Sequence, residues 1–181
     1  MQRNTKLLAL ASACLSMGVA THARAAAFAL HEQGISGLGN AYAGAAAVAE
    51  DATTVWWNPA GMARLGAGKH FALGGAYIVP STKFNNGASQ TAALSNPSFN
   101  GTGGDAGESK LVPSFFFAMD AGPRWNFGLG VSVPFGLATS YDSTWIGRFQ
   151  GVDSEVETVN INPAVSYKLS DAVSLGGGIS Y

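Results

Sequence analysis

Beyond its first twenty-five residues the chain carries two histidines, His31 and His70, and no cysteine. A serine hydrolase needs a nucleophile, a histidine base and an orienting group within hydrogen-bond reach. Neither histidine stands in such a context, so the chain is not expected to be an enzyme. Cys14 is the one thiol and falls in the N-terminal leader, which removes disulfides and cysteine metal sites from consideration. The glycine-rich run at residues 101–107 does not lead into a helix with a phosphate-binding lysine, so it is no nucleotide loop. No cofactor and no metal are expected. What remains is a conformational motif, Asn58, Pro59 and Ala60. Asparagine is a favoured N-cap and proline suits the first helical position, predicting a short helix from Pro59 to about Leu65, with Asp51 able to cap an earlier turn.

That tripeptide ends a stretch, residues 34–65, rich in small residues and without the alternation that dominates the chain after it. It reads as a compact, partly helical hatch ahead of a run of strands. Arg3 and Lys6, an apolar run over residues 7–20, and Ala23-Arg24-Ala25 form an export signal, with the mature chain expected to start at Ala26. Without Arg3, Lys6 and Arg24, seven of the ten basic residues face eleven acidic ones, a net charge of −4 with no basic run. Nucleic acid is therefore not an expected partner. Charged residues make up only 12% of the chain, and glycine is abundant, yet no mature segment has the eighteen apolar residues of a helical membrane span. Exported, sparsely charged and rich in glycine and aromatics, such a chain has one membrane architecture open to it, the closed antiparallel β-barrel.

Five stretches alternate with period two. Phe71, Leu73, Tyr77 and Val79 oppose His70, Ala72, Gly74 and Ala76. Leu111, Pro113, Phe115, Phe117 and Met119 share a face, with Phe116 breaking the contrast on the other. Trp125, Phe127, Leu129, Val131 and Val133 alternate strictly with Asn126, Gly128, Gly130 and Ser132. Val159, Ile161, Val165, Tyr167 and Leu169 oppose Asn160, Asn162, Ala164, Ser166 and Lys168. Val173, Leu175, Ile179 and Tyr181 oppose Ala172, Ser174, Gly176 and Ser180. A helix would scatter these residues. Ten tilted residues cover about 25 Å, the height of an outer-membrane apolar band. A soluble sandwich would carry ordinary charge on its second face, whereas here that face is Gly, Ala, Ser and Asn, nearly uncharged, as a confined interior requires. Short links at residues 120–124 and 170–171 and long ones at 80–110 and about 141–157 suit periplasmic turns and extracellular loops.

The stretch AAFALHEQGISGLGNAYAGAAAVAEDATTVWWNPAGMARL, followed by PFGLATSYDSTWIGRF and VETVNINPAVSYKLSD, resembles the FadL family of outer-membrane transporters of long-chain fatty acids and other hydrophobic compounds. The likeness covers essentially the whole mature chain. It implies an all-β fold: a transmembrane antiparallel barrel of fourteen strands whose lumen holds the N-terminal hatch. On that reading residues 1–25 are the signal peptide, 26–68 the hatch, and 69–181 the first five strands. Five strands cannot close a barrel, so a fragment of a longer protein, monomeric when complete, is expected.

The resemblance also implies a gate-controlled lateral exit through an inward kink of the third strand, which maps to Pro134, Phe135 and Gly136. Proline cannot donate to a ladder and glycine packs no side chain, so these residues suit a break in the wall. They suit a plain strand end as well. Pro163, within a later strand, is expected to mark a bulge. Phe28 and Leu30 are candidates to touch a greasy ligand in the lumen or simply to pack on the barrel. Asn58, Pro59 and Ala60 are expected to help seat the hatch. The expected function is passive transport of long-chain fatty acids or similar hydrophobic molecules across the Gram-negative outer membrane, with that ligand and membrane lipid as partners. The alternative is a non-specific porin, which charged residues around the lumen would favour, or a structural or adhesive barrel.

Overall fold

A computed structural model describes residues 28–87, 89 and 101–181. The expected export signal and the chain start at Ala26 lie outside the described residues. Among the described residues, seven strands follow four short helical segments. The strands are β1 (Lys69–Ile78), β2 (Lys110–Asp120), β3 (Trp125–Ser132), β4 (Gly136–Ser140), β5 (Asp153–Glu157), β6 (Asn160–Lys168) and β7 (Ser174–Gly178). Five form one antiparallel sheet in the order β1-β2-β3-β6-β7, and β4 pairs with β5. All five period-two stretches are strands of this sheet, whose edges do not meet among the described residues. No described helix is long and apolar enough to cross a membrane.

The two faces differ as the alternation requires. Phe71, Leu73, Tyr77, Leu111, Trp125, Phe127, Ile161 and Leu175 are exposed, Leu73 to 82%. Their neighbours in sequence, Val112, Ser114, Phe116, Ala118, Asn126, Ser132, Asn160, Asn162, Ala164 and Ser166, are buried. Such a continuous exposed apolar face is unusual for a surface wetted by water and matches the outward band expected of a membrane barrel wall. On it, Trp125 and Tyr167 pack with ring centroids 4.7 Å apart near one rim.

The opposite face carries the hatch. It comprises a 3-10 turn (Leu38–Asn40), α1 (Ala45–Val48), α2 (Thr54–Trp57) and a 3-10 helix (Pro59–Arg64). Its Ala52, Val55 and Met62 form one buried cluster with Phe116, Ala118 and Ala164 of the wall. Phe116, which broke the contrast in its strand, is therefore an anchor beneath the hatch. The backbones come close because glycine lines the wall there. A Cβ on Gly128 would lie 2.6 Å from both Met62 and Val55, and one on Gly176 only 2.2 Å from the Ala60 nitrogen.

Several local expectations need correction. The helix after Asn58 is a 3-10 helix ending at Arg64, and Asn58 does not cap it with its side chain. Asn58 Nδ2 instead donates to the Ala46 carbonyl at 2.8 Å, tying α1 to the motif. Asp51 Oδ1 accepts from the Thr53 N–H at 2.8 Å and so shapes the turn into α2. Pro163 makes no bulge, because it stays in register opposite Leu129. Its carbonyl still accepts from the Ile179 N–H at 3.1 Å, and the Ile161–Tyr181 pair beyond it is complete. Proline costs the ladder one donor and nothing more. The supposed long loop over residues 141–157 is shorter than expected, since β5 takes up its last five residues; the run Asp153-Ser154-Glu155-Val156-Glu157 is too polar to read as strand.

Candidate functional site

The third strand does not run on through Pro134. It stops at Ser132 and resumes as β4 at Gly136. The registers on either side show why. Ser132 pairs with Asn160 and Gly136 with Glu157, so three residues, 133–135, face two, 158–159. That one extra residue is a β-bulge, which bends its strand and disturbs pairing. On the β6 side the bend is held by Thr158, whose hydroxyl donates to the Phe135 carbonyl at 2.7 Å and accepts from the Phe135 N–H at 3.1 Å.

Toward β2 the ladder lapses. Pairing between β2 and β3 reaches Phe115 opposite Val131 and goes no further. It resumes only where the Glu108 N–H donates to the Ala138 carbonyl at 3.3 Å and Gly107 bridges Thr139. Residues 109–114 on one side and 132–137 on the other thus flank a gap in the wall. The N-terminal residues fill β2's place in the ladder. The Leu30 N–H donates to the Pro134 carbonyl at 2.9 Å, the Gly136 N–H donates to the Phe28 carbonyl at 3.1 Å, and Ala29 bridges Phe135. Gln33, only 1% exposed, adds a side-chain tie: its Nε2 donates to the Val133 carbonyl at 2.8 Å and to the Leu30 carbonyl at 3.1 Å.

Between the lips lies a cavity of about 290 Å³ whose apolar lining includes Phe28, Leu30, Leu111, Val133, Leu137 and Val156. That size is close to the lower end of small-molecule pockets. Its lumen side is charged, contrary to the expectation of nearly uncharged inward faces. Lys110 Nζ lies 2.6 Å from Glu155 across the gap, and Glu108 and Glu157 also line the cavity. Lys110 shares the inward phase of Val112 and Ser114, and pairing with Ala138 and Gly136 puts Glu155 and Glu157 on the matching face. The ion pair is half exposed on both sides, so solvent screening leaves it little weight in stability.

Two residue sets that are a hundred positions apart in sequence therefore meet: Phe28 and Leu30 with Pro134, Phe135 and Gly136. The third set does not join them. Asn58, Pro59 and Ala60 sit against β7, where Ser174 Oγ donates to the Ala60 carbonyl at 3.0 Å. Elsewhere in the hatch, burial pushes the Asp51 carboxyl up, but hydrogen bonds from the Ser36 hydroxyl and from Thr53 outweigh it and leave Asp51 below the usual carboxylate range. His70 Nε2 lies 3.4 Å from the Gly66 carbonyl, a main-chain group and no nucleophile. Among the described residues no group of three or more acidic, histidine or cysteine side chains is arranged to hold a metal. Gln33, Thr158, Leu137, Val156 and the Lys110–Glu155 pair escaped the sequence reading, because nothing in the alternation shows which strand edges lose their partners.

The profile of the family described as "Outer membrane protein transport protein (OMPP1/FadL/TodX)" matches residues 16–181. Outer membrane protein P1 of Haemophilus influenzae is 31% identical over 98% of this chain and 39% of its own length. The long-chain fatty acid transport protein of Escherichia coli K12 is 30% identical over 90% of this chain and 34% of its own. Among solved structures, a Pseudomonas aeruginosa FadL homologue superposes with a TM-score of 0.65 at 26% identity, covering 84% of this chain and 37% of that one. The chain thus spans less than two fifths of the length of these relatives.

Proposed function

The chain belongs to the outer membrane protein transport protein family (OMPP1/FadL/TodX), and from that premise we propose that, within a closed outer-membrane barrel, it carries long-chain fatty acids or similar hydrophobic molecules through the lateral gap beside β2. The observation that carries this reading is the interrupted ladder between β2 and the third strand, with an apolar cavity in the interruption. Unpaired backbone at membrane depth is costly unless protein covers it or it lines a cavity. A ladder broken by one inserted residue, and covered by a segment held through a few hydrogen bonds, can be opened without unfolding the wall.

The ligand reaches the lumen from the extracellular side, rests against Phe28, Leu30, Val133 and Leu137, and leaves between the lips once residues 28–30 move aside. Asn58, Pro59 and Ala60 keep the hatch seated against β7 during that movement, so the wall stays plugged to water. Movement down the concentration gradient, with differential affinity between the covered and uncovered states, is drive enough. The protein acts in the bacterial outer membrane as a monomer and needs neither cofactor nor catalysis.

Uptake of radiolabelled oleate in cells carrying the full-length gene, against uptake of a small sugar, tests the reading. Deleting Phe135 removes the extra residue and lets Ser132–Asn160 and Gly136–Glu157 fall into one register. Oleate uptake is expected to drop to background while the barrel still assembles. Unchanged uptake in the deletion variant would refute the lateral route. A second reading, a porin, is favoured by one observation, the charged group of Glu108, Lys110, Glu155 and Glu157 on the lumen side. Sugar flux without oleate flux would establish it instead.

A further inference from the structure

Three buried polar atoms around the bulge have no hydrogen-bond partner among the described residues: Gln33 Oε1, Ser132 Oγ and Asn160 Nδ2. Ser132 and Asn160 are the last paired residues before the bulge, and Gln33 bonds to the carbonyl of the next residue, Val133. Two further buried polar atoms without a partner, Trp145 Nε1 and Ser166 Oγ, belong to other parts of the chain, so three of the five such atoms among the described residues gather at the bulge.

We infer that Gln33 is the positioning residue that latches the N-terminal segment over the lateral gap, and that the latch is built to release. The inference rests on the transport reading above. One amide nitrogen reaches both parties to the closure, Leu30 on the covering segment and Val133 on the wall. It commits both of its protons, so neither carbonyl is left bare while the gap is covered. The other half of the same amide has nothing to bond to. A buried amide oxygen without a donor raises the free energy of the covered state, and any movement that brings it to water, or brings a ligand's hydroxyl or carboxylic acid to it, removes that penalty. The donors hold the segment down and the orphaned acceptor keeps the hold weak.

Phe28 and Leu30 alone do not do this. Their ladder bonds to Pro134 and Gly136 lie in the plane of the sheet, whereas Gln33 approaches from the hatch and so couples hatch movement to the covering segment. Thr158, which holds the bend from the other side, makes both of these hydrogen bonds to Phe135, within the wall.

The test is backbone amide exchange on the full-length barrel in lipid nanodiscs, comparing the natural protein with Gln33→Leu and Gln33→Glu. Leucine keeps the volume and loses the donor. Glutamate keeps the shape and replaces the donor with an acceptor. In both variants the Leu30 and Gly136 amides are expected to exchange about tenfold faster or more, the equivalent of about one lost hydrogen bond or more. The Asn58 amide, bonded to the Thr54 carbonyl within the hatch, is expected to keep its rate. Unchanged exchange at Leu30 and Gly136 overturns the inference. So does acceleration of Asn58 along with them, because Gln33 would then be a folding residue of the hatch. Initial oleate uptake is expected to rise several-fold with KM unchanged, and faster exchange with unaltered uptake overturns the claim that this latch limits passage. If neither the natural protein nor the variants take up oleate, the transport reading fails by itself, and the exchange rates still decide whether Gln33 is the latch.

Discussion

Replacing Gly176 with alanine tests how the hatch is seated. Gly176 of β7 lies under the tripeptide, and a Cβ there would stand 2.2 Å from the Ala60 nitrogen and 2.6 Å from both Ala60 Cα and the Pro59 carbonyl carbon. These are backbone atoms, which cannot swing aside as a side chain does. Ordinary contact begins near 3.4 Å, so the hatch must withdraw by roughly 1.2 Å, enough to break the 3.0 Å bond from Ser174 Oγ to the Ala60 carbonyl. Overpacking of this kind costs about 1–3 kcal/mol, and the lost bond adds about 1 kcal/mol. Seating of the hatch is thus weakened by about 2–4 kcal/mol. The Gly61 amide, bonded to the Asn58 carbonyl at 2.8 Å, should exchange some thirty- to several-hundred-fold faster if release of the hatch controls its exchange. Gly177 is the control: it has nothing within 4 Å of its would-be Cβ, and Gly177→Ala should leave that rate alone. Equal effects of the two substitutions, or none from Gly176→Ala, would refute seating by close backbone approach.

Phe116→Ala removes the largest side chain from the cluster shared by hatch and wall and should cost about 3–5 kcal/mol in denaturant unfolding. Thr158→Val keeps the shape but leaves the Phe135 N–H and carbonyl without their partner, so the Phe135 amide should exchange about tenfold faster while β6 amides do not change. Asp51 has a folded-state pKa below its ordinary value of 3.8. Its contribution to hatch stability is therefore complete above that value and is lost as pH falls through the lower folded one. Asp51→Asn should remove that acid dependence in a pH series of hatch exchange rates. Lys110→Met with Glu155→Leu should barely move the denaturant midpoint, because both groups are half exposed and screened by solvent. A larger change in denaturant midpoint would mean that the pair holds the lips of the gap together.

The alternation of large apolar with small side chains determined, with no structure in hand, that five stretches are strands and which face of each is apolar and turned away from the hatch. It did so because side-chain direction in a strand depends only on odd or even position. Phe116 was the visible exception, and packing explains it: a wall residue that must fill space under the hatch cannot be small. The residues of the bulge were legible as a place where pairing would suffer, since proline lacks a donor whatever surrounds it. Pro163 was not distinguishable from Pro134 on those grounds. The difference lies in register, one extra residue opposite 158–159 in one case and none in the other, and register is a relation between two strands that neither sequence contains alone. Tertiary structure likewise decided that residues 28–30 take β2's place in the ladder and that Gln33 spans both sides, because a strand edge is vacant only by virtue of where its neighbours stop.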